Sequence, residues 1–315
     1  MSQVPLRLEL RRVPTGAKSE APPRGRPAQS LLAYLAVTDL RSVSLLVFTA
    51  LAAGVIGGGL HVPFRLWGIG LALTLSCMGA RAVANYIDRD IDALMERTRR
   101  RPLPSGAVAP FHALLLGLGL IATGLAMALA WFGPLVLLLV LFGLADNLVV
   151  YALLTKRTSP LSIVLGAPSG GAPAFIGYVA VTGRVDLTAV LLATFVMLWT
   201  PIHIWSLAIR CKDDYARASV PMLPVAVGVR RSARFIGLAS LAFAALTLVF
   251  LVDGGARIAT PIATLTLGLA VGLILGSTWL VRSPTAEHAW ALFKFTSPYL
   301  ALVFALLALN AIIAG

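Results

Sequence analysis

The segment LWGIGLALTLSCMGARAVANYIDRDIDALMERTRRRPLPSG (66–106) passes from an apolar run to a cluster of carboxylates, then to arginines and two prolines. A run of this length spans a bilayer as a helix. The polar cluster therefore falls at a membrane surface, where charged groups cost enough to imply a use. A second cluster, Lys212-Asp213-Asp214-Tyr215, follows another apolar run and precedes Pro221-Met222-Leu223-Pro224. Carboxylates bind a hard cation through oxygen, and Arg or Lys neutralises the phosphate charge that remains. Together the clusters read as sites for a magnesium diphosphate, in a membrane enzyme acting on a phosphorylated lipid.

Similar apolar runs recur along the rest of the chain. Candidate spans are about 42–60, 66–87, 110–131, 134–154, 161–181, 187–209, 233–252, 258–281 and 290–314. With 58% hydrophobic residues, 12% charged ones and a mean hydropathy of +0.89, the 315 residues are too apolar for a soluble domain. The runs are apolar on successive residues, unlike the alternation of a membrane barrel strand, so the fold class is all-α, a polytopic bundle of about nine spans. Residues 1–30 carry six basic residues among Pro, Ala, Gly and Ser and lack the apolar core of a secretory signal. They read as a disordered basic cytoplasmic tail that touches anionic lipid, with 31–315 as one membrane domain.

The net charge of +13 follows from topology and does not call for nucleic acid. With the N-terminus inside, all but four of the 26 Lys and Arg fall before the first span or on the loops of that side. Arg65, Arg184 and Arg257 fall on the opposite loops, and Arg81 lies within the second span. The N-terminus and both acidic clusters are thus expected in the cytoplasm and the C-terminus outside. Cys77 and Cys211 form no metal-binding pattern and read as structural thiols.

Within the first cluster, Asn85, Asp88 and Asp92 stand at i, i+3 and i+7, one face of a continuing helix. Asp90 points elsewhere, as a solvated or helix-bracing residue. Two carboxylates and an amide oxygen can share Mg²⁺ with phosphate oxygens. Arg97 and Arg99–Arg101 reach the outer phosphate or enforce topology. The other reading of the cluster is an acidic, solvated helix end.

The motifs NYIDRDIDALMERTRRRPLPSG (85–106), YALLTKRTSP (151–160), GAPSGGAPAFIGYVAVTG (166–183) and WTPIHIWSLAIRCKDDYARASVPMLPVAVG (199–228) resemble the UbiA-type intramembrane prenyltransferases. The resemblance lies with their protohaem IX farnesyltransferase (haem O synthase) branch and covers the chain from about 31 onward. It implies nine membrane helices and farnesyl transfer from farnesyl diphosphate to the vinyl group of haem B, with Mg²⁺ as cofactor and a downstream haem-modifying enzyme as recipient. It also implies Asp88, Asp92 and Asp214 as catalytic, with Asp213 as a further metal contact. Diphosphate contacts fall to Asn85, Arg97, Arg101, Lys156, Arg157 and Lys212. Arg210 and Lys212 read equally as haem-propionate partners or as positive-inside anchors. His203, inside an apolar span, is either an iron ligand or a core histidine bonded to a neighbouring helix. Asp146, also within a span, faces the cavity, orients Tyr151 or another polar group, or pairs with Arg81.

Two departures stand out. The family places Asn four residues before the first aspartate, where this chain has Ala84 with Asn85 next to it. The family's Thr-Lys-Pro-Arg is here Thr38-Asp39-Leu40-Arg41. A quinone-precursor prenyltransferase is the nearest alternative. A transporter would show internal repeats and broken helices, whereas these charges gather at one face.

Overall fold

The computed structural model describes residues 27–253 and 259–314. The expected tail (1–30) lies almost wholly outside these residues, as does Arg257. Among the described residues the chain is helical without strands, and the all-α expectation holds. The helices are α1 (Pro27–Val37), α2 (Leu40–Ile56), α3 (Pro63–Ile87), α4 (Arg89–Leu94), α5 (Pro110–Phe132), α6 (Pro134–Ala145), α7 (Ser162–Leu165) and α8 (Ala167–Thr182). They continue with α9 (Leu187–Arg210), α10 (Lys212–Arg217), α11 (Leu223–Val227), α12 (Val229–Asp253), α13 (Thr260–Arg282) and α14 (Ala286–Ala314). Eight spans among the described residues are long and apolar enough to cross a membrane, or nine when the bent pair α1–α2 is counted. The chain is a multi-pass membrane protein.

Two groups of helices pack side by side. α2, α3, α5, α6 and α8 form one, and α9, α12, α13 and α14 the other, joined where α8 meets α9 and α2 meets α14. With no hydrophobic drive between helices in lipid, close approach of backbones through small residues holds such contacts. A Cβ on Gly177 of α8 would come within 2.0 Å of the Ala50 carbonyl oxygen of α2, and one on Gly79 of α3 within 2.6 Å of that of Gly117 on α5. Across the second group, Phe195 of α9 packs on Phe243, Phe250, Tyr299 and Phe304.

Two local features depart from the apolar spans read in the sequence. The first span begins with a 53° bend between α1 and α2. Asp39 sits there at φ 46°, a left-handed conformation that Asp tolerates better than most residues. Its carboxylate accepts a hydrogen bond from Ser42 Oγ at 2.8 Å, which secures the first turn of α2. The fourth span changes pitch, running on from α6 as a π-helix over Asp146–Thr155. That wide helix closes where Lys156 N donates to Tyr151 O at 2.8 Å. π-turns of this kind concentrate at functional sites.

Candidate active site

The carboxylates of the first cluster sit where α3 gives way to α4. Asp88 closes α3, donating its N–H to Ala84 O, and receives the N–H of Asp92 on its carbonyl. The near-continuous helix buries Asn85, Asp88 and Asp92 and exposes Arg89 and Asp90. The one-face reading of the sequence is therefore what the fold shows. Burial is deep for ionic groups, at 7% exposure for Asp88 and 5% for Asp92.

Each carboxylate has a cation from elsewhere in the chain. Asp88 pairs with Lys156, delivered by the π-helical turn. Asp92 pairs with Arg101 at 2.9 Å. Arg101 also reaches Asn85 Oδ1 at 3.5 Å, while Asn85 Nδ2 donates to Val37 O at 2.7 Å. Asn85 thus ties α3 to the end of α1 and steers Arg101. Asp90, on the outer face, holds Arg157 at 2.6 and 2.7 Å, and the same guanidinium donates to Ile87 O at 2.8 Å. The Arg157 hydrogen bonds hold the Asp90 carboxyl down at about 2. This exposed pair braces the loop that carries Lys156, whereas the sequence offers a solvated or helix-bracing residue.

The second cluster is built differently from the first. Asp214 accepts the backbone N–H groups of Glu96 at 3.2 Å and Arg97 at 3.3 Å, and also pairs with Arg217. It staples the loop after α4 to α10. Asp213 is exposed and engages no described side chain. Lys212 is half-buried, and Arg210 lies 4.0 Å from Glu287. Among the described residues, no three Asp, Glu, His or Cys side chains converge on one point. The four carboxylates read as metal ligands are therefore not brought to one point: Asp88 and Asp92 share a buried helix face, Asp214 is a staple, and Asp213 is exposed. The donors at the centre still fit a hard cation. Asp88 Oδ1 is buried with no hydrogen-bond partner among the described residues, an oxygen whose desolvation no hydrogen bond among them offsets.

The sequence reading missed the pairing of Arg81. It left Arg81 as a partner for Asp146, but Arg81 binds Asp39 at 2.7 Å. Asp146 instead accepts the N–H of Ser169 at 2.8 Å, at the start of α8. Asp39, one of the departures noted in the sequence, and Arg81 thus offset each other's charge. Opposite charges at two unusual positions were the available signal. Arg81 also borders an apolar pocket walled by Leu46, Leu73, Ala80, Val140, Leu144 and Ile176. It lies seven residues before Asp88 on α3, about 10 Å along the helix axis.

His203 sits in α9, also about 10 Å short of Arg210 at the helix end. Its imidazole lies between Trp199 and Phe293, with ring centroids 4.5 and 4.2 Å away and planes within 25°. Trp290 extends the stack at 5.0 Å from Phe293. His203 is partly exposed, and its Nδ1 lies 2.8 Å from Thr296 Oγ1 on α14.

A helical membrane bundle with buried carboxylates and their cations at the end of α3, and an apolar pocket along that helix, matches a known family. Residues 45–309 fit the UbiA prenyltransferase family, and the chain belongs to it. It is 44% identical over 277 residues to a protoheme IX farnesyltransferase of Desulforudis audaxviator, covering 86% of each chain. It is 40% identical over 282 residues to one from Thermoplasma acidophilum, covering 87% of this chain and 95% of that protein. Among solved structures, a UbiA homologue from Aeropyrum pernix superposes with a TM-score of 0.66 at 25% identity, over 86% of this chain and 98% of that one. A homologue from Archaeoglobus fulgidus, solved with GPP and Mg²⁺, gives 0.55 at 18% identity over 87% and 99% of the two chains. This last match speaks for the fold alone.

The contacts of Asn85 with Arg101 and Val37 lead to a testable expectation. Asn85→Ala is expected to weaken farnesyl diphosphate affinity by about tenfold, the worth of one or two lost hydrogen bonds that steer Arg101. Titration calorimetry with the diphosphate and Mg²⁺ checks this. Unchanged affinity would show that Arg101 needs no guide.

Proposed function

We propose that this chain transfers a farnesyl group from farnesyl diphosphate to a vinyl group of haem B, with addition of water, to give haem O and diphosphate. The observation that carries the reading is the buried Asp88–Lys156 and Asp92–Arg101 set at the end of α3, the helix whose preceding turns wall an apolar pocket. It is joined by close relatives that bear the name protoheme IX farnesyltransferase.

Asp88 and Asp92 would hold Mg²⁺, with Asp213 available as a further metal contact; the cation would supply charge stabilisation to the departing phosphate oxygens. Lys156, Arg101, Arg97 and Lys212 take the remaining negative charge. The farnesyl chain lies in the apolar pocket that Arg81 borders. As the C1–oxygen bond breaks, positive charge develops at the allylic carbon, and preorganised cations at the diphosphate lower that barrier. The vinyl π-electrons form the new bond to C1, leaving a cation beside the pyrrole. Water then adds its oxygen to that carbon and releases one proton. Apolar walls keep water from C1 until the vinyl group has reacted. Asp214 contributes by stapling Arg97 in place, and Arg157 by bracing the Lys156 loop.

The acceptor is held deeper in the membrane, by His203, with Arg210 toward the propionates. The excess of basic residues on one side sets the acidic loops and the N-terminus in the cytoplasm and the C-terminus outside. Residues 31–315 act as one prenyltransferase domain, and a downstream haem-modifying enzyme receives the product.

Purified protein incubated with haem B, farnesyl diphosphate and Mg²⁺ is expected to yield a haem heavier by the elements of farnesol. A parallel reaction with a quinone precursor is expected to give no product. Prenylation of the quinone precursor alone would replace the acceptor in this reading while leaving the donor site intact.

A further inference from the structure

Resting on the acceptor assignment just made, we infer that Thr296 is a positioning residue: it holds His203 in the tautomer whose free nitrogen can bind haem iron. Two short contacts meet at its hydroxyl. Thr296 Oγ1 lies 2.9 Å from Phe293 O, one turn earlier on α14, and 2.8 Å from His203 Nδ1 on α9. A carbonyl only accepts, so the threonine proton belongs to Phe293 O. The hydroxyl oxygen must then accept from the imidazole, which places the ring proton on Nδ1. The opposite tautomer would leave two oxygens 2.9 Å apart with no proton between them.

With Nδ1 protonated, Nε2 carries a lone pair. Nε2 makes no hydrogen bond to a described residue, and it is absent from the sealed, unpartnered polar atoms of the structure. Trp199 and Phe293 cover the two faces of the ring. The approach left to a ligand is along the edge, the direction in which an axial imidazole meets a haem iron. Thr296 is itself fully buried. Its carbonyl oxygen also accepts the Trp199 indole N–H at 3.0 Å. One residue of α14 thus fixes both the histidine and one of the rings that clamp it. Histidines that ligate metals commonly have the second nitrogen held by such a partner, which sets tautomer and orientation.

The test uses the full chain in detergent, with haem B as the probe. In the haem-free protein, ¹⁵N NMR of labelled histidine, assigned by loss of the signal in His203→Ala, is expected to show a protonated Nδ1 and a bare Nε2. Thr296→Val removes the hydroxyl at similar volume and is expected to weaken haem binding by about tenfold, within the range for loss of an outer partner. Thr296→Ser keeps the hydroxyl and should restore both haem affinity and the tautomer signal. Farnesyl diphosphate affinity is expected to be the same in all variants, which also shows that they are folded. A bare Nδ1 in the unsubstituted protein, or haem affinity unchanged in Thr296→Val, overturns the role of Thr296. Should His203→Ala keep the haem spectrum of the unsubstituted protein, the assignment of His203 to the acceptor fails instead. The NMR result for the tautomer stands apart from that outcome.

Discussion

Asp88→Ala and Asp92→Ala are each expected to cut farnesyl transfer by at least a factor of about one hundred, the scale on which a single preorganised electrostatic contact acts. Both carboxylates are buried on one helix face, and each is matched to a cation from another segment. Asp88 Oδ1 additionally has no hydrogen-bond partner among the described residues. Asp90→Ala should lower transfer by less than about tenfold, because its pair with Arg157 is exposed and such pairs contribute little. Initial rates over a Mg²⁺ titration separate the cases. Asp88→Ala and Asp92→Ala should need far more Mg²⁺, and Asp90→Ala should not. Equal losses at all three positions would contradict the division of the cluster into an inner and an outer face.

Lys156→Ala carries the second large effect. The side chain is mostly buried against Asp88 and lies over the Tyr151 ring at 5.7 Å. Its removal takes a cation from the diphosphate and leaves Asp88 without its counterion. A loss of transfer of about a hundredfold is expected, with farnesyl diphosphate affinity falling while the Mg²⁺ requirement stays near that of the unsubstituted protein. Lys156→Arg keeps the charge but widens the head group in a tight place, and should fall between. If Lys156→Ala instead raised the Mg²⁺ requirement as Asp88→Ala does, Lys156 would act only through Asp88.

The spans and the inner face of the first cluster could be read from the sequence because both rest on local periodicity. Twenty apolar residues announce a crossing, and i, i+3, i+7 spacing announces a face. The first span could not be placed so well. It was read as 42–60, but α2 runs from Leu40 to Ile56 and is preceded by a bent helix. The bend depends on one residue at positive φ, which hydropathy does not register. Asp214 was read as a second metal contact from the motif around it, which says nothing of the backbone groups it also binds. Its partners are the backbone N–H groups of residues more than a hundred positions away, and backbone groups leave no mark in composition. Thr296 was missed for the same reason. A threonine in an apolar helix is unremarked until the fold sets it beside His203.

The π-helical stretch from Asp146 to Thr155 gives the reaction site an unusual sensitivity to helix pitch. A wide turn of this kind holds about one residue more than an ordinary helical turn. Were the same residues to wind as regular α-helix, the span and its hydrophobicity would be unchanged. Everything downstream would then be indexed differently against α3, by about 100° for the residue the wide turn no longer absorbs. Lys156 would rotate away from Asp88, and Arg157 would lose Asp90. The protein would insert and pack, yet its cation would face the wrong direction, so register in this segment is as much a part of the active site as the side chains themselves.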